Sequence, residues 1–189
     1  IYMRRNTSIV TPRRVGKWSH PLFYMAVHDF DMMRWYVGSE PRTVYAQSEN
    51  KVLSKLGLQY PDLMWAIFKF KNEALGVTET NWVLPENFPS GIDGRMNVIG
   101  TRGAVYVDVM DQGLRVVSEK GFQMPDTLHW PVIHGRLMGD LREEFIHFID
   151  CIMKNKEPIV TGIDGRRSLE MALGVKKSLE EEKIVTFPL

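Results

Sequence analysis

Apolar residues recur at helical spacing between His20 and Gly38, in the segment HPLFYMAVHDFDMMRWYVG. At about 3.6 residues per turn, one stripe of this segment is wholly apolar: Phe23, Ala26, Val27, Phe30, Met33 and Val37. The neighbouring stripe carries a phenol, an imidazole, a carboxylate and an indole: Tyr24, His28, Asp31 and Trp35. The pattern predicts an amphipathic helix that ends at Gly38, with polar and aromatic groups beside its buried face.

Alternating apolar and polar positions predict strands on both sides of this helix. Residues 1–10 have strand character until Pro12, and residues 63–71 (LMWAIFKFK) form the most regular pattern. Both faces of residues 63–71 are apolar, so we expect a central strand that is covered on each face. Further short patterns predict an antiparallel meander: residues 43–48, 75–84, 95–99, 104–109 and 114–118.

The C-terminal third predicts two more helices. Asp140 and Glu143 resemble a capping box, and the helix after them has apolar residues at core spacing: Leu141, Phe145, Phe148, Ile149 and Ile152. Asp164 and Gly165 lead into a last helix with four residues expected inward, Leu169, Ala172, Leu173 and Leu179. Residues 184–187 close the chain as a strand-like tail.

These elements indicate an α+β fold with a largely antiparallel, mixed sheet of about six strands and helices packed on one face. The opposite face must meet solvent, a second domain or another subunit. Because residues 63–71 are apolar on both sides, solvent is the least compatible of these. A second domain and another subunit are both compatible with this face, and the second of these would make a homo-oligomer that forms through the open sheet face.

Composition is that of an ordinary globular domain. The chain has 189 residues, 44% of them hydrophobic, and a net charge of +1, which argues against dedicated nucleic-acid or membrane-surface binding. No apolar run is long enough to span a bilayer. A single cysteine, Cys151, excludes an internal disulfide and favours a reducing cytoplasmic location. Metal ligands do not cluster in the sequence, so no metal site is expected.

Five basic residues precede the first acidic residue, Asp29: Arg4, Arg5, Arg13, Arg14 and Lys17. They are consistent with a solvated strand edge that is protected from aggregation. Alternatively, one or two of them contact an anionic substrate or a cofactor phosphate, with Arg13 as the candidate. The loop at 122–135 contains Trp130 beside His129 and His134, and it serves either as a substrate-binding wall or as a lid on the sheet.

His28 is the candidate acid–base residue. Asp31, one turn later, can accept a ring N–H and leave the other ring nitrogen free for proton transfer. The competing interpretation is a hydrogen-bonded pair at the edge of the core. The spacing alone does not decide between them.

Three segments, in this order and spacing, resemble the C-terminal domain of the Gfo/Idh/MocA oxidoreductases: VHDFDMMRWYVGSEPRTVYA, IGTRGAVYV, and the stretch from EEFIHFIDCIMKNKEPIVTGIDGRR to EEEKIV. The resemblance implies a two-domain dehydrogenase whose N-terminal Rossmann domain binds NAD or NADP. Residues 1–189 would be its single C-terminal substrate-binding and oligomerisation domain. The chain opens within a strand pattern and has neither G-x-G-x-x-G after a strand nor a Glu-Lys-Pro motif, so we expect a fragment that holds no cofactor by itself.

The resemblance also assigns roles to residues. His28 matches the family histidine that assists proton transfer at a substrate hydroxyl, and Asp31 matches an acidic positioning residue. Tyr24 stands where the family usually has an aspartate. A phenol donates a hydrogen bond to a substrate oxygen but supplies no charge at neutral pH. This departure indicates a different substrate, a different division of proton transfer, or lost chemistry.

The sequence therefore predicts first an NAD(P)-dependent oxidoreductase acting on a sugar, polyol or related small molecule. Its candidate site residues are His28 for catalysis and Tyr24, Asp31, Arg13 and Trp130 for substrate binding. The alternative is a non-catalytic binding or assembly module. A metal-dependent phosphohydrolase rests only on the dipeptide His28-Asp29, which is weak evidence without further ligands.

Overall fold

The computed structural model describes residues 1–189, and its central element is a seven-stranded sheet. The strands of this sheet are β1 (Tyr2–Ser8), β2 (Pro41–Glu49), β3 (Leu63–Phe70), β4 (Leu75–Leu84), β5 (Asp93–Gly100), β6 (Gly103–Asp108) and β11 (Val185–Thr186). Two small hairpins lie outside it, β7 (Val116–Ser118) with β8 (Gly121–Gln123) and β9 (Val132–Ile133) with β10 (Arg136–Leu137). The helices are α1 (Val10–Val15), α2 (Val27–Val37), α3 (Asp140–Lys154) and α4 (Gly162–Glu181), with a π-helical turn at Leu22–Ala26 and a 3₁₀ turn at Leu53–Leu56.

The strand order is β11-β2-β3-β4-β1-β5-β6, which confirms the predicted α+β class with one strand more than expected. β1 runs parallel to β4 and antiparallel to β5, and the remaining neighbours are antiparallel. The predicted meander is wrong at this point because β1 separates β4 from β5. For the same reason the basic first strand is an interior strand and not the predicted sheet edge. Residues 116–118 pair only with β8, outside the main sheet.

α2 and α4 cover one face of the sheet and form the core with it. Phe30 of α2 packs edge-on against Phe68 of β3, with ring centroids 5.3 Å apart. The hydroxyl of Ser178 in α4 accepts the backbone N–H of Ala46 at 3.0 Å and donates to the carbonyl of Lys183. α4 is therefore fixed to β2 by a buried hydrogen bond as well as by apolar contacts.

The opposite face of the sheet is open in this chain. On β3, the inward residues Met64, Ala66 and Phe68 are buried, whereas Trp65 and Ile67 are about half exposed. The prediction that this strand is covered on each face is wrong for the chain alone. Hydrophobic alternation shows that both faces need apolar partners but does not show where the second partner comes from.

α3 forms as predicted, but its apolar stripe does not enter the core. Phe145, Phe148, Ile149 and Ile152 are each more than half exposed, and Cys151 is the buried residue of this helix. α4 confirms half of its predicted inward set: Ala172 is buried and Leu179 packs partly buried against the core, whereas Leu169 and Leu173 are exposed. Its buried residues are Ser168, Met171, Ala172, Gly174, Val175 and Ser178. Helical spacing predicts a helix, but it does not show which stripe has a packing partner.

None of the helices combines the length and the apolar character that crossing a bilayer would need.

Two glycines in α4 give a matched test of this packing. A Cβ at Gly174 would overlap the ring of Phe187, whereas a Cβ at Gly165 would meet open space. We expect Gly174→Ala to lower the free energy of unfolding by about 1–3 kcal/mol through overpacking. Gly165→Ala should raise it by about 0.5–1 kcal/mol because alanine is the better helix former. Urea unfolding of both variants measures the difference, and equal effects would contradict close packing of α4 on β11.

Candidate functional site

A cavity of about 520 Å³ opens where β1, the start of α2 and two loops meet. Its volume is in the range typical of small-molecule sites. Ten residues line it: Arg5, Thr7, Thr11, Tyr24, Met25, His28, Gly91, Ile92, His129 and Trp130. Three of the five predicted site residues, Tyr24, His28 and Trp130, therefore share one cavity.

The π-helical turn before α2 places Tyr24 and His28 on this wall. The Tyr24 ring packs edge-on against the buried Trp82, with centroids 5.7 Å apart. The Trp82 indole N–H donates to the sulfur of Met25. Met25 belongs to the same turn, so this hydrogen bond also holds the turn against Trp82. π-helical turns are rare and frequently occur at functional sites. Here the turn holds the Tyr24 ring against the buried indole of Trp82.

Arg5 reaches the cavity from β1 and is oriented by α2. Its Nε donates to Oδ1 of Asp29 at 3.0 Å, and Asp29 is almost completely buried. Burial raises the pKa of Asp29, and the Arg5 guanidinium opposes that shift. The second oxygen of Asp29 has no hydrogen-bond partner, so Arg5 is the one group that compensates this buried carboxyl.

The imidazole of His28 is held in its neutral form. Desolvation at the cavity wall lowers its pKa, and the nearby Arg5 lowers it further, while Glu144 and Asp31 act in the opposite direction. His28 makes no hydrogen bond to another protein group, and in particular none to Asp31. At neutral pH its ring therefore has a free lone pair available to accept a proton.

Asp31 and Arg13 lie outside the cavity. Asp31 lines a second cavity of about 270 Å³ with Arg34, Trp35 and other residues, and burial raises its pKa. Arg13 is half exposed and forms an ion pair with Glu86. The structure does not bring either residue to the wall that holds His28.

Two residues at the cavity were not singled out by the sequence analysis. Arg5 belongs to the basic N-terminal run, where Arg13 was chosen instead. His129 was named only as a member of the 122–135 loop. It lies at the cavity with Nδ1 2.8 Å from Oδ2 of Asp140, and its buried Nε2 has no partner. Arg5 reaches the cavity because β1 lies inside the sheet, and His129 reaches it because the 122–135 loop folds back to the cavity. Neither position can be inferred from local sequence patterns.

The structure contains no group of three or more histidine, cysteine, aspartate or glutamate side chains that could hold a metal ion. Asp29, which a phosphohydrolase would need as a ligand beside His28, is instead paired with Arg5.

Comparison with known sequences gives one family match and several relatives. A family model described as the oxidoreductase family C-terminal alpha/beta domain matches residues 3–187. The chain is 30% identical over 163 residues to a myo-inositol 2-dehydrogenase from Thermotoga maritima, covering 85% of this chain and 47% of that protein. It is 29% identical over 157 residues to scyllo-inositol 2-dehydrogenase (NAD(+)) from Bacillus subtilis, covering 81% and 43%. The chain spans about half the length of these relatives.

Solved structures share the fold. A myo-inositol 2-dehydrogenase from Lactobacillus plantarum superposes with a TM-score of 0.73 at 20% identity, covering 98% of this chain and 56% of that one. A scyllo-inositol dehydrogenase from Lactobacillus casei, with bound NAD(H) and scyllo-inositol, gives a TM-score of 0.69 at 19% identity and the same coverage.

The charges around His28 predict that two sets of substitutions shift its pKa in opposite directions. Replacing Asp31 by Asn should lower the pKa of His28 further, because Asp31 stabilises the protonated ring. The double variant Arg5→Gln/Asp29→Asn should raise it, because it removes the repelling guanidinium without leaving the buried carboxylate unpaired. NMR titration of the His28 ring measures both shifts. Shifts of the same sign, or none, would contradict the described arrangement.

Proposed function

Because the chain belongs to the Gfo/Idh/MocA oxidoreductase family, as its C-terminal alpha/beta domain, we propose that it forms the substrate-binding wall of a nicotinamide-dependent dehydrogenase. The substrate would be a sugar, polyol or related small molecule with a reactive hydroxyl. The observation that carries the proposal is the shared cavity of Tyr24, His28 and Trp130. The relatives include inositol dehydrogenases, which supports the same class.

The dinucleotide itself does not fit the residues of this chain. A dinucleotide site of the usual kind needs a parallel βαβ unit with a glycine-rich turn from strand to helix. Here β1 and β4 are the parallel pair, and no glycine lies between β1 and α1. We therefore assign NAD or NADP to a nucleotide-binding half outside this chain, consistent with the length of the relatives.

The exposed apolar stripe of α3 supports a partner of this kind. Phe145, Phe148, Ile149 and Ile152 lie on a helix whose Glu144 is close enough to influence the His28 ring. We propose that the nucleotide-binding half covers this stripe and forms the far wall of the cavity. Exposed apolar area of this extent is typical of an interface.

Within the proposed enzyme, His28 would accept the proton of the substrate hydroxyl, because its imidazole is neutral and unpartnered. The phenol of Tyr24 would donate a hydrogen bond to another substrate oxygen. Trp130 offers an aromatic surface on which the apolar face of a sugar ring can lie.

We expect His28→Asn, in the complete protein encoded by the gene, to reduce kcat/KM by about 10²–10⁴-fold, the usual contribution of a general base. The assay follows nicotinamide reduction across a panel of polyols and sugars. His134→Asn is the matched control, because His134 lies in an exposed turn with a positive φ that asparagine tolerates. Unchanged turnover of His28→Asn would remove this residue from the mechanism.

A non-catalytic binding or assembly module is the second candidate. Tyr24 favours it, because the phenol leaves the cavity without the carboxylate that the family usually provides. Under this alternative the complete protein would bind small molecules at the cavity and assemble, but no member of the panel would reduce the nicotinamide.

We also propose that the open sheet face forms a homo-oligomeric interface. One row of neighbouring residues crosses it from strand to strand: Tyr45, Ile67, Val77, Tyr2, Asn97 and Tyr106. The adjacent row contains Trp65 and the ion pair between Arg95 and Asp108, at 3.2 Å. Apolar and aromatic groups edged by paired charges are typical of protein interfaces.

Ile67→Glu should weaken this assembly by about tenfold or more, because a charge would be buried at the centre of the interface. Val117→Glu is the control, since Val117 is also aliphatic and exposed but lies on the separate β7–β8 hairpin. Light scattering over a concentration series measures both. An unaltered protein that stays monomeric at about 0.1 mM, where even weak interfaces assemble, would refute the proposal.

A further inference from the structure

The charges at the cavity are unbalanced. Arg5 contributes a permanent positive charge, whereas none of the ten lining residues is an aspartate or glutamate. The other side chains able to form hydrogen bonds are the hydroxyls of Thr7 and Thr11, the phenol of Tyr24 and the imidazoles of His28 and His129. The cavity therefore presents hydrogen-bond donors and a cation to whatever enters it.

The guanidinium of Arg5 is held in place, but only one of its nitrogens has a hydrogen-bond partner in the protein. Asp29 takes the Nε of the guanidinium, and neither Nη nitrogen hydrogen-bonds to a protein acceptor. Arginine binds carboxylates and phosphates through pairs of parallel N–H bonds, and it has five N–H groups. The outer edge of Arg5, formed by its two Nη nitrogens, is thus available to a second anion.

Asp29 does not remove this preference for an anion. It lies behind Arg5, is almost completely buried, and does not line the cavity. Its role is to fix the guanidinium in one orientation, which lowers the entropic cost of binding an anion at the free edge.

Tyr24 is the second determinant. Its side chain is about half exposed at the cavity, its hydroxyl has no protein partner, and it precedes His28 by one turn. A carboxylate at this position would repel an anionic substrate and compete for Arg5. The phenol instead offers a hydrogen bond and leaves the positive charge of Arg5 uncompensated on the cavity side.

We infer that the substrate of this site carries an anionic oxygen group, a carboxylate or a phosphate monoester, that Arg5 binds while a substrate hydroxyl lies at His28. The inference rests on the proposed function for the location of the reacting hydroxyl. For the anion itself it rests only on the cavity.

Three ligands that differ at a single carbon test this inference: glucose, glucuronate and glucose 6-phosphate. Calorimetry on the complete protein measures their dissociation constants without requiring turnover. We expect at least one of the two anions to bind about tenfold more tightly than glucose, as a charge-assisted pair implies. The anion that binds more tightly shows whether the site prefers a carboxylate or a phosphate monoester. Equal affinity for all three, or no binding of either anion to the folded protein, would overturn the inference.

Two substitutions at one exposed position then isolate the charge. Tyr24→Asp should reduce the preference for the anion by about tenfold or more, because a carboxylate then shares the cavity with Arg5. The asparagine of Tyr24→Asn is nearly the same size as the aspartate but carries no charge. This variant should keep the preference for the anion within about threefold of the unaltered protein. An equal loss in both variants would overturn the electrostatic argument. A protein that binds anions selectively but never reduces the nicotinamide would refute the proposed function and leave this inference standing.

Discussion

The candidate site depends on the ion pair between Arg5 and Asp29. It joins the interior strand β1 to the helix α2, 24 positions later in the chain. Because Asp29 is buried and its second oxygen is unpartnered, loss of Arg5 would leave an uncompensated carboxyl in the core, which is strongly destabilising. The same contact orients the guanidinium at the cavity, where its charge adds to the larger effect of desolvation in lowering the pKa of His28. This one ion pair therefore contributes both to the structure and to the electrostatics of the site.

The position of the cavity is set by the core of the domain. α2 and α4 are packed on the inner face of the sheet, so the position of His28 is set by a rigid core. The apolar stripe of α3 and the outer sheet face are both exposed. A chain that spans about half the length of its relatives and exposes two apolar surfaces is consistent with a domain that functions against other protein surfaces. This explains why a helix can have a strong apolar stripe and yet bury little of it.

The phenol of Tyr24 leaves the cavity wall without a carboxylate at this position and leaves the fold unchanged. The phenol keeps the packing contact with Trp82 and remains on the wall that His28 occupies. Without a carboxylate beside it, the imidazole has no acidic partner among the residues that line the cavity. The family relationship accounts for the architecture, whereas the proposed ligand preference rests on these few side chains.

The sequence by itself determined the local elements. The helix ending at Gly38, the β3–β4 and β5–β6 hairpins, and the placement of Tyr24 and His28 on one stripe all follow from periodicity and turn residues, which are short-range properties. Only the tertiary structure decided that β1 enters the sheet between β4 and β5, and thus that Arg5 and not Arg13 reaches the cavity. It also separated Asp31 from His28, since three residues on a helix differ by about 60° around its axis and here face two different cavities. Long-range pairing and the supply of packing partners are properties of the assembled chain, so no local pattern encodes them.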